Sequence, residues 1–220
     1  MKKYLLGAAA ALAIAAPSLA HAEGGGYVGA SYADSKDTDI NAWTVDGAFQ
    51  IGSNIQIDGG YTNIHDGAAD EFQLGGHFFS RGEQWLWGGY VGYDRVSSGG
   101  DVDEWTVAGQ TQYYADSTVV SGDLSYSQFD VFGATVNTTQ LSGDARFFAN
   151  ENLSAHVHGG YARLSGDIGD GNLVTYGGGV EWQPTSMPIS LFGDVDVVDP
   201  EGTGNVSTWS VGIRYNWGGS

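Results

Sequence analysis

The sequence contains no cysteine, only four prolines and very few basic residues. Without cysteine, the chain has neither a disulfide scaffold nor a thiolate-bound metal. Eight lysines and arginines stand against 26 aspartates and glutamates, which gives a formal net charge of −18. Nucleic-acid binding requires a basic surface, so we expect no nucleic acid among the partners. A composition of 41% hydrophobic and 13% aromatic residues favours an ordered fold over an acidic disordered chain.

A long apolar run is missing after residue 22, so the sequence predicts no transmembrane helix there. The apolar run before it, from Tyr4 to Ala16, is too short to span a bilayer. It follows two lysines and precedes the small-residue stretch Ala20-His21-Ala22. This order is typical of a secretory signal peptide. We expect residues 1–22 to be a signal peptide and residues 23–220 to form one exported domain.

Hydrophobic and polar residues alternate along most of the remaining chain. In segment 43–51, for example, Trp43 and Val45 fall on one face and Asp46 and Gln50 on the other. A period of two predicts strands with one apolar and one polar face. A count of ten strands stays open, because the first segment alternates poorly and the seventh is polar. Turn signals divide the chain into about twelve strands, near residues 24–34, 39–52, 54–64, 70–80, 85–96, 102–114, 118–129, 135–148, 152–164, 172–183, 189–198 and 206–217.

The connections and the aromatic residues both follow this division. Short connections such as "GSN" and "PTSMP" alternate with longer ones rich in glycine and aspartate, such as "SGDIGDG". Aromatic residues fall near both ends of the strands, as Trp209 and Trp217 do in the last one. We therefore expect two aromatic belts, separated by roughly 20 Å of tilted strand. Soluble β-sandwiches also alternate, but they have no reason to sort their aromatics into two bands.

The last strand, "TWSVGIRYNW", carries Tyr215 and Trp217 on its apolar face. Together with the predicted signal peptide and the two aromatic belts, it resembles the bacterial outer-membrane β-barrels of the porin-like class. The resemblance implies an all-β fold, a transmembrane antiparallel up-and-down β-barrel of about twelve strands, in the outer membrane of a Gram-negative-type bacterium. It also implies contact with outer-membrane lipids and lipopolysaccharide. The last strand would be read by the outer-membrane insertion machinery.

The polar face of the strands then lines a lumen. A negative lumen attracts small cations, so the sequence predicts a porin-like channel for passive diffusion of ions and small solutes that prefers cations. The alternative is a closed structural barrel in which Arg146 and Arg214 pair with acids. Such a barrel would stabilise the envelope or bind partners through its loops. The charged residues predicted to line the lumen are Asp46, Asp58, Glu71, Asp94, Glu104, Asp123, Asp144, Arg146, Glu181, Asp194, Asp196 and Arg214.

Glycine doublets beside aromatic residues recur along the chain, as in "LGGHFF", "WLWGGYVGY" and "YGGGVEW". Glycine weakens an ordinary strand, yet it relieves crowding where a barrel wall curves and strands cross. Alternation places Gly75, Gly92, Gly177 and Gly179 on the lumen side.

Two histidines, His156 and His158, share one strand face. This spacing suits a metal site if Glu181 or Asp144 lies nearby, but a polar pair without metal is favoured because no second ligand cluster fixes the site. We expect no cofactor. The chain lacks a Gly-x-Ser-x-Gly elbow and its strand histidines point to the lumen, so we expect no enzymatic activity.

Overall fold

The computed structural model describes residues 25–38, 40–64, 69–98, 100–131, 133–167, 169–202 and 204–218. The predicted signal peptide, residues 1–22, lies outside them. No described residue belongs to a helix long and apolar enough to cross a membrane. The strands are β1 (Gly26–Ser35), β2 (Ile40–Ile51), β3 (Ile55–Ile64), β4 (Ala69–Arg81), β5 (Trp85–Ser97), β6 (Asp101–Ala115), β7 (Thr118–Val131), β8 (Ala134–Asn150), β9 (Leu153–Gly166), β10 (Gly171–Trp182), β11 (Ile189–Pro200) and β12 (Val206–Trp217).

The twelve strands form one closed barrel in which each strand is antiparallel to its sequence neighbours. Closure comes from β1 and β12, whose register runs from Gly26 opposite Trp217 to Ser35 opposite Thr208. The structure thus confirms the all-antiparallel barrel and the count of twelve rather than ten. The two doubtful segments are both full members of the sheet, because a closed barrel pairs every strand on both sides even where its alternation is weak.

The two ends of the barrel differ in their connections. We call the end where β1 begins and β12 ends the terminal rim, and the opposite end the far rim. Two to five residues separate consecutive strands at the far rim, against two or three at four of the five terminal-rim connections, as the sequence predicted. The sequence also predicted a tight turn at "PTSMP", and this is wrong. Six residues, 183–188, separate β10 from β11, whereas at most five separate strands at the far rim. The far-rim connections are shorter than this because the strands continue past the belt. Connection 183–188 is longer because Pro184 and Pro188 lack the amide hydrogen that a strand ladder needs.

The outer face of the barrel is apolar and exposed, the reverse of a protein that folds in water. Leu141, Val157 and Trp105 each expose more than three fifths of their surface. A continuous exposed apolar surface of this kind marks contact with a membrane or a partner. Large aromatics on this face form the two expected belts: Trp43, Tyr61, Phe72, Trp105, Tyr126, Tyr161 and Tyr176 toward the far rim, and Phe49, Phe78, Trp85, Trp87, Phe147, Trp182 and Tyr215 toward the terminal rim.

Tyr93 and three tyrosines of the far-rim belt share one hydrogen-bond pattern. Each lies near the end of an odd-numbered strand and donates its hydroxyl hydrogen to an aspartate or asparagine near the start of the next strand. The pairs are Tyr61 to Asp70 at 2.8 Å, Tyr93 to Asp103 at 2.5 Å, Tyr126 to Asn137 at 2.7 Å and Tyr161 to Asn172 at 2.8 Å. Each ring therefore keeps its apolar body on the outer face and its polar tip at the rim, the arrangement suited to a membrane interface.

Candidate functional site: the barrel lumen

The twelve charged residues that the sequence assigns to the lumen lie on the inner face of the strands, and their role in lining a pore stays a prediction. All twelve are half-buried or buried, while their strand neighbours on the outer face include the exposed hydrophobic residues. They do not form one uniform ring. The structure separates them by depth and by wall into an arginine network, two histidine–aspartate pairs, a buried aspartate with its histidine, and an acidic triplet.

The arginine network lies near the terminal rim and is centred on Glu181 of β10. Arg146 donates to Glu181 Oε2 at 2.9 Å, and Arg214 Nη1 lies 3.6 Å from the same oxygen. Ser190 donates to the other carboxylate oxygen at 2.6 Å. Arg214 also lies over the Phe192 ring, 4.3 Å from its centroid. Arg146 and Arg214 are thus engaged with the same carboxylate.

The two histidine–aspartate pairs lie on one wall of the lumen, at mid-depth. His156 Nε2 is 3.0 Å from Asp194 Oδ1, and His158 Nε2 is 2.8 Å from Asp196 Oδ1. These contacts join β9 to β11 and pass over β10, where the residues in register are Gly179 and Gly177. Asp144 of β8 is opposite His158 on the other side of β9. Of the two carboxylates named in the sequence-based alternative, Asp144 is therefore the one beside the histidines, because Glu181 belongs to the arginine network.

A buried pair lies on another wall of the lumen. His77 Nε2 is 2.7 Å from Asp58 Oδ1, and His77 Nδ1 is 2.9 Å from Gln110 Oε1. The ring of Tyr90 lies 4.7 Å from the ring of His77, centroid to centroid. His77 exposes 2% of its side chain, so this pair faces little solvent.

Three acids on β4, β5 and β6 form the acidic triplet, Glu71, Asp94 and Glu104, toward the far rim. Asp94 and Glu104 are direct cross-strand partners. Within the described residues, no arginine, lysine or histidine forms an ion pair with any of the three. Like charges opposite each other on a sheet repel, so this arrangement favours an added cation between them. The remaining acids are Asp46, on the inner face of β2, and Asp123, which accepts a hydrogen bond from Ser142 at 2.5 Å.

The prediction from sequence omitted several large inward residues. Phe192 lies against Gly212, with its ring carbon Cε1 2.6 Å from the place a β-carbon would occupy. Near the terminal rim, Leu86 is fully buried against Phe79, with Tyr114 beside them. Near the far rim, Ala162, Leu173 and Val198 form a second apolar cluster. Alternation alone places Phe192 inside, between Ser190 and Asp194, so this signal was present in the sequence.

Comparison with solved structures finds outer-membrane barrels. The fold is similar to an outer membrane channel from Pseudomonas putida F1 (TM-score 0.69, 8% identity, covering 92% of this chain and 100% of that one). It is also similar to the KdgM porin in complex with disordered oligogalacturonate (TM-score 0.66, 8% identity, 87% and 99% covered). The NanC porin matches at a TM-score of 0.66 and 8% identity, with 86% and 98% covered.

No protein-family model matches the sequence, and no curated protein matches it. At 8% identity, likeness to the solved structures establishes the fold and nothing finer. The described residues close into twelve antiparallel strands with an apolar outer face and a polar inner face. The chain therefore has the fold of the bacterial outer-membrane β-barrels of the porin-like class.

Proposed function

We propose that the protein is an outer-membrane channel for passive diffusion of ions and small solutes, with a preference for cations. The single observation that carries this proposal is the unpaired acidic triplet on the inner wall of a closed barrel. In this proposal, its three carboxylates attract cations and repel anions at the far-rim mouth. Acidic side chains that line a pore are the usual means by which it selects cations.

In this proposal, the glycines of the inner wall leave room for a water-filled path, because large inward rings can lie flat against them. The Tyr90 ring lies over Gly75 and Gly92, where it comes within 2.5 Å of the positions that their β-carbons would take. The Phe192 ring lies over Gly212 in the same way. Large inward side chains thus lie along the wall. Partial exposure of Arg214 and His158, about a quarter of each side chain, is consistent with water reaching the middle of the lumen.

The similar solved structures support a channel, and one of them allows a comparison of the charge of the solute. The KdgM porin was solved with oligogalacturonate, an anionic saccharide. The predicted charged lumen residues of the present chain are ten acids and two arginines, a negative balance that would repel such an anion. We infer that anionic saccharides are not its solutes. In this proposal the outer face contacts outer-membrane lipids and lipopolysaccharide, and β12 is the strand that the insertion machinery recognises.

A closed structural barrel is the second candidate, and one observation favours it. Polar side chains near the terminal rim are buried, and the arginine network lies at the same level. If these groups block the lumen, the barrel stabilises the envelope or binds partners through its loops. The buried polar residues at this level are Gln50, Gln56, His77, Gln112, Ser154 and Ser190.

Conductance of the refolded protein in a planar bilayer, under a KCl gradient, separates the two candidates. We expect discrete steps and a cation-selective reversal potential. Replacing the triplet together, as Glu71→Gln, Asp94→Asn and Glu104→Gln, should lower the cation-to-anion permeability ratio on the order of fivefold, since a unit charge at about 4 Å in water is worth about 1 kcal/mol.

The matched control removes three charges from exposed turns at the terminal rim, as Glu83→Gln, Asp116→Asn and Glu151→Gln. This variant has the same net charge as the triplet variant, so its permeability ratio should stay close to that of the unmodified protein. Equal ratios in the two variants would show that the triplet does not set selectivity. A folded, inserted protein without conductance would favour the structural barrel.

A further inference from the structure

We propose that Asp144, His156 and His158 form a binding site for a divalent transition-metal ion, with Zn²⁺ the best fit, on the lumen wall. One ring nitrogen of each histidine and one carboxylate oxygen of Asp144 all lie within 4.8 Å of one another. All three residues are half-buried, so the site is reachable from the lumen. The proposal concerns binding by the folded barrel and is independent of whether the barrel conducts.

The register of β8 and β9 brings the three groups together. Asp144 is the direct cross-strand partner of His158. His156 is two residues away on the same strand, so its side chain points to the same face as that of His158. The two imidazole rings are stacked, with centroids 5.8 Å apart and an angle of 23° between their planes. Two imidazoles and a carboxylate thus face the lumen from adjacent strands.

Each histidine already has the second partner that metal-binding histidines usually have. Nε2 of His156 lies 3.0 Å from Asp194, and Nε2 of His158 lies 2.8 Å from Asp196. A carboxylate at this position holds the ring hydrogen on Nε2 and leaves Nδ1 with its lone pair. His156 Nδ1 is buried and has no hydrogen-bond partner among the described residues. An unpartnered acceptor of this kind is costly unless a ligand satisfies it.

Glycines on β10 make these histidine–aspartate contacts achievable. A β-carbon at Gly177 would lie 2.6 Å from His158 Nε2 and 2.7 Å from Asp196 Oδ1. At Gly179 a β-carbon would collide with Asp194 Oδ1. Both contacts cross the space that any larger residue would fill. The "GGG" of β10 therefore has a specific role: two carboxylates of β11 reach across it to orient two histidines of β9.

The ligand set favours a borderline transition metal. Imidazole nitrogen suits Zn²⁺, Cu²⁺ and Ni²⁺, whereas Mg²⁺ and Ca²⁺ prefer oxygen ligands. Three protein ligands leave a fourth, water-filled position in a tetrahedral Zn²⁺ site. Bonds of about 2.0–2.2 Å place such ligand atoms about 3.3 Å apart, so the side chains must draw together on binding. The carboxylates of Asp194 and Asp196 add negative charge, while Arg146 is occupied by Glu181.

Titration of the metal-free, refolded protein in detergent with ZnCl₂ tests the site. We expect one saturable Zn²⁺ per chain at neutral pH. Affinity should fall by about 10–100-fold in Asp194→Asn and Asp196→Asn, the loss typical when the partner of a metal-bound histidine is removed. Saturable binding should be lost in the double variant His156→Ala with His158→Ala, and Asp144→Asn should weaken it more than either outer aspartate variant does.

Two control variants keep the cluster intact. His77→Gln removes a lumen histidine that pairs with Asp58, and Asp116→Asn removes a carboxylate in an exposed turn. Both should bind Zn²⁺ as the unmodified protein does. Absence of saturable binding, or equal binding by the double histidine variant, would overturn the proposal.

A second measurement on the unmodified protein does not depend on any variant folding. Electron paramagnetic resonance of the Cu²⁺-loaded barrel should show splitting from two imidazole nitrogens. A spectrum with oxygen ligands alone would overturn the assignment, even if an ion bound elsewhere on this acidic chain.

Discussion

At the scale of single residues, the inward glycines leave space that side chains of neighbouring strands occupy. Gly177 accommodates the His158–Asp196 contact, Gly75 accommodates the Tyr90 ring, and Gly212 accommodates Phe192. In each doublet or triplet, alternation places at least one glycine on the lumen side. The conformational freedom of glycine is not needed here, since none of these three has a positive φ. What matters is the missing β-carbon.

Alanine should have different effects on stability at two strand glycines. Gly177→Ala should destabilise the barrel by about 1–3 kcal/mol, the usual cost of overpacking, because its β-carbon would also lie 2.5 Å from the Val195 carbonyl oxygen. Gly109→Ala is the matched control, because a β-carbon there meets nothing within 4 Å. Urea unfolding followed by tryptophan fluorescence measures the stability of both variants. Equal unfolding midpoints would contradict the role of Gly177 in leaving space for neighbouring side chains.

Alternation assigns each charged residue to one face of its strand, but it does not say which groups that residue contacts. His158 and Asp196 come together only because β9, β10 and β11 are in one particular register. A shift of two residues would leave both on the inner face and pair each with a different group. The sequence therefore named Glu181 and Asp144 as equal candidates beside the histidines, and only the register assigns Glu181 to the arginines.

At the scale of strands, the far-rim tyrosines connect each of four odd-numbered strands to the strand that follows. A hydroxyl near the end of one strand meets an acid or amide near the start of the next. Each hydrogen bond runs diagonally within a paired hairpin, to a residue two positions from the register partner of the tyrosine. They therefore hold the hairpins at the level where the barrel leaves the apolar layer.

Removing three of these hydroxyls should lower stability measurably. The triple variant Tyr61→Phe, Tyr126→Phe and Tyr161→Phe loses three hydrogen bonds, each worth about 0.5–1.5 kcal/mol, with the lower end expected at an exposed rim. Unfolding in lipid vesicles should show a total loss of about 1.5–3 kcal/mol.

The control variant changes three outer-face tyrosines whose hydroxyls have no hydrogen-bond partner among the described residues: Tyr113, Tyr176 and Tyr215, each replaced by phenylalanine. It removes the same atoms from the same kind of surface. A loss as large as that of the first variant would mean that hydroxyl hydration, rather than the inter-strand hydrogen bonds, accounts for the effect.

The strands themselves followed from the sequence more closely than their connections did. The predicted segment 206–217 matches Val206–Trp217, and segment 54–64 lies within one residue of Ile55–Ile64. The far-rim connections were predicted too long because glycine and aspartate are normal turn signals. In the barrel, residues such as Asp101 and Gly171 remain paired with the neighbouring strand. Pairing on both sides of every strand overrides local preference.

At the scale of the whole molecule, the lumen charges are graded along the barrel axis. The acidic triplet lies toward the far rim, the histidine–aspartate wall lies at mid-depth, and Arg146 and Arg214 lie near the terminal rim. In the proposed channel, a cation entering from the far rim would meet unpaired carboxylates first and arginines last. Occupation of the histidine site would add positive charge between these two regions, directly beside the path.

Zn²⁺ bound at the histidine site should change conduction through the proposed channel. Micromolar Zn²⁺ should lower single-channel conductance in KCl and reduce cation selectivity, because a bound dication offsets the carboxylates of the adjacent wall. A chelator should restore both. The ratio of conductance with and without Zn²⁺ should approach one in the double variant His156→Ala with His158→Ala, and should stay low in His77→Gln. If Zn²⁺ binds by titration yet leaves conductance unchanged, the site is real but lies outside the conducting path. If neither unmodified protein nor variant conducts while Zn²⁺ still binds, the channel proposal fails and the metal site stands.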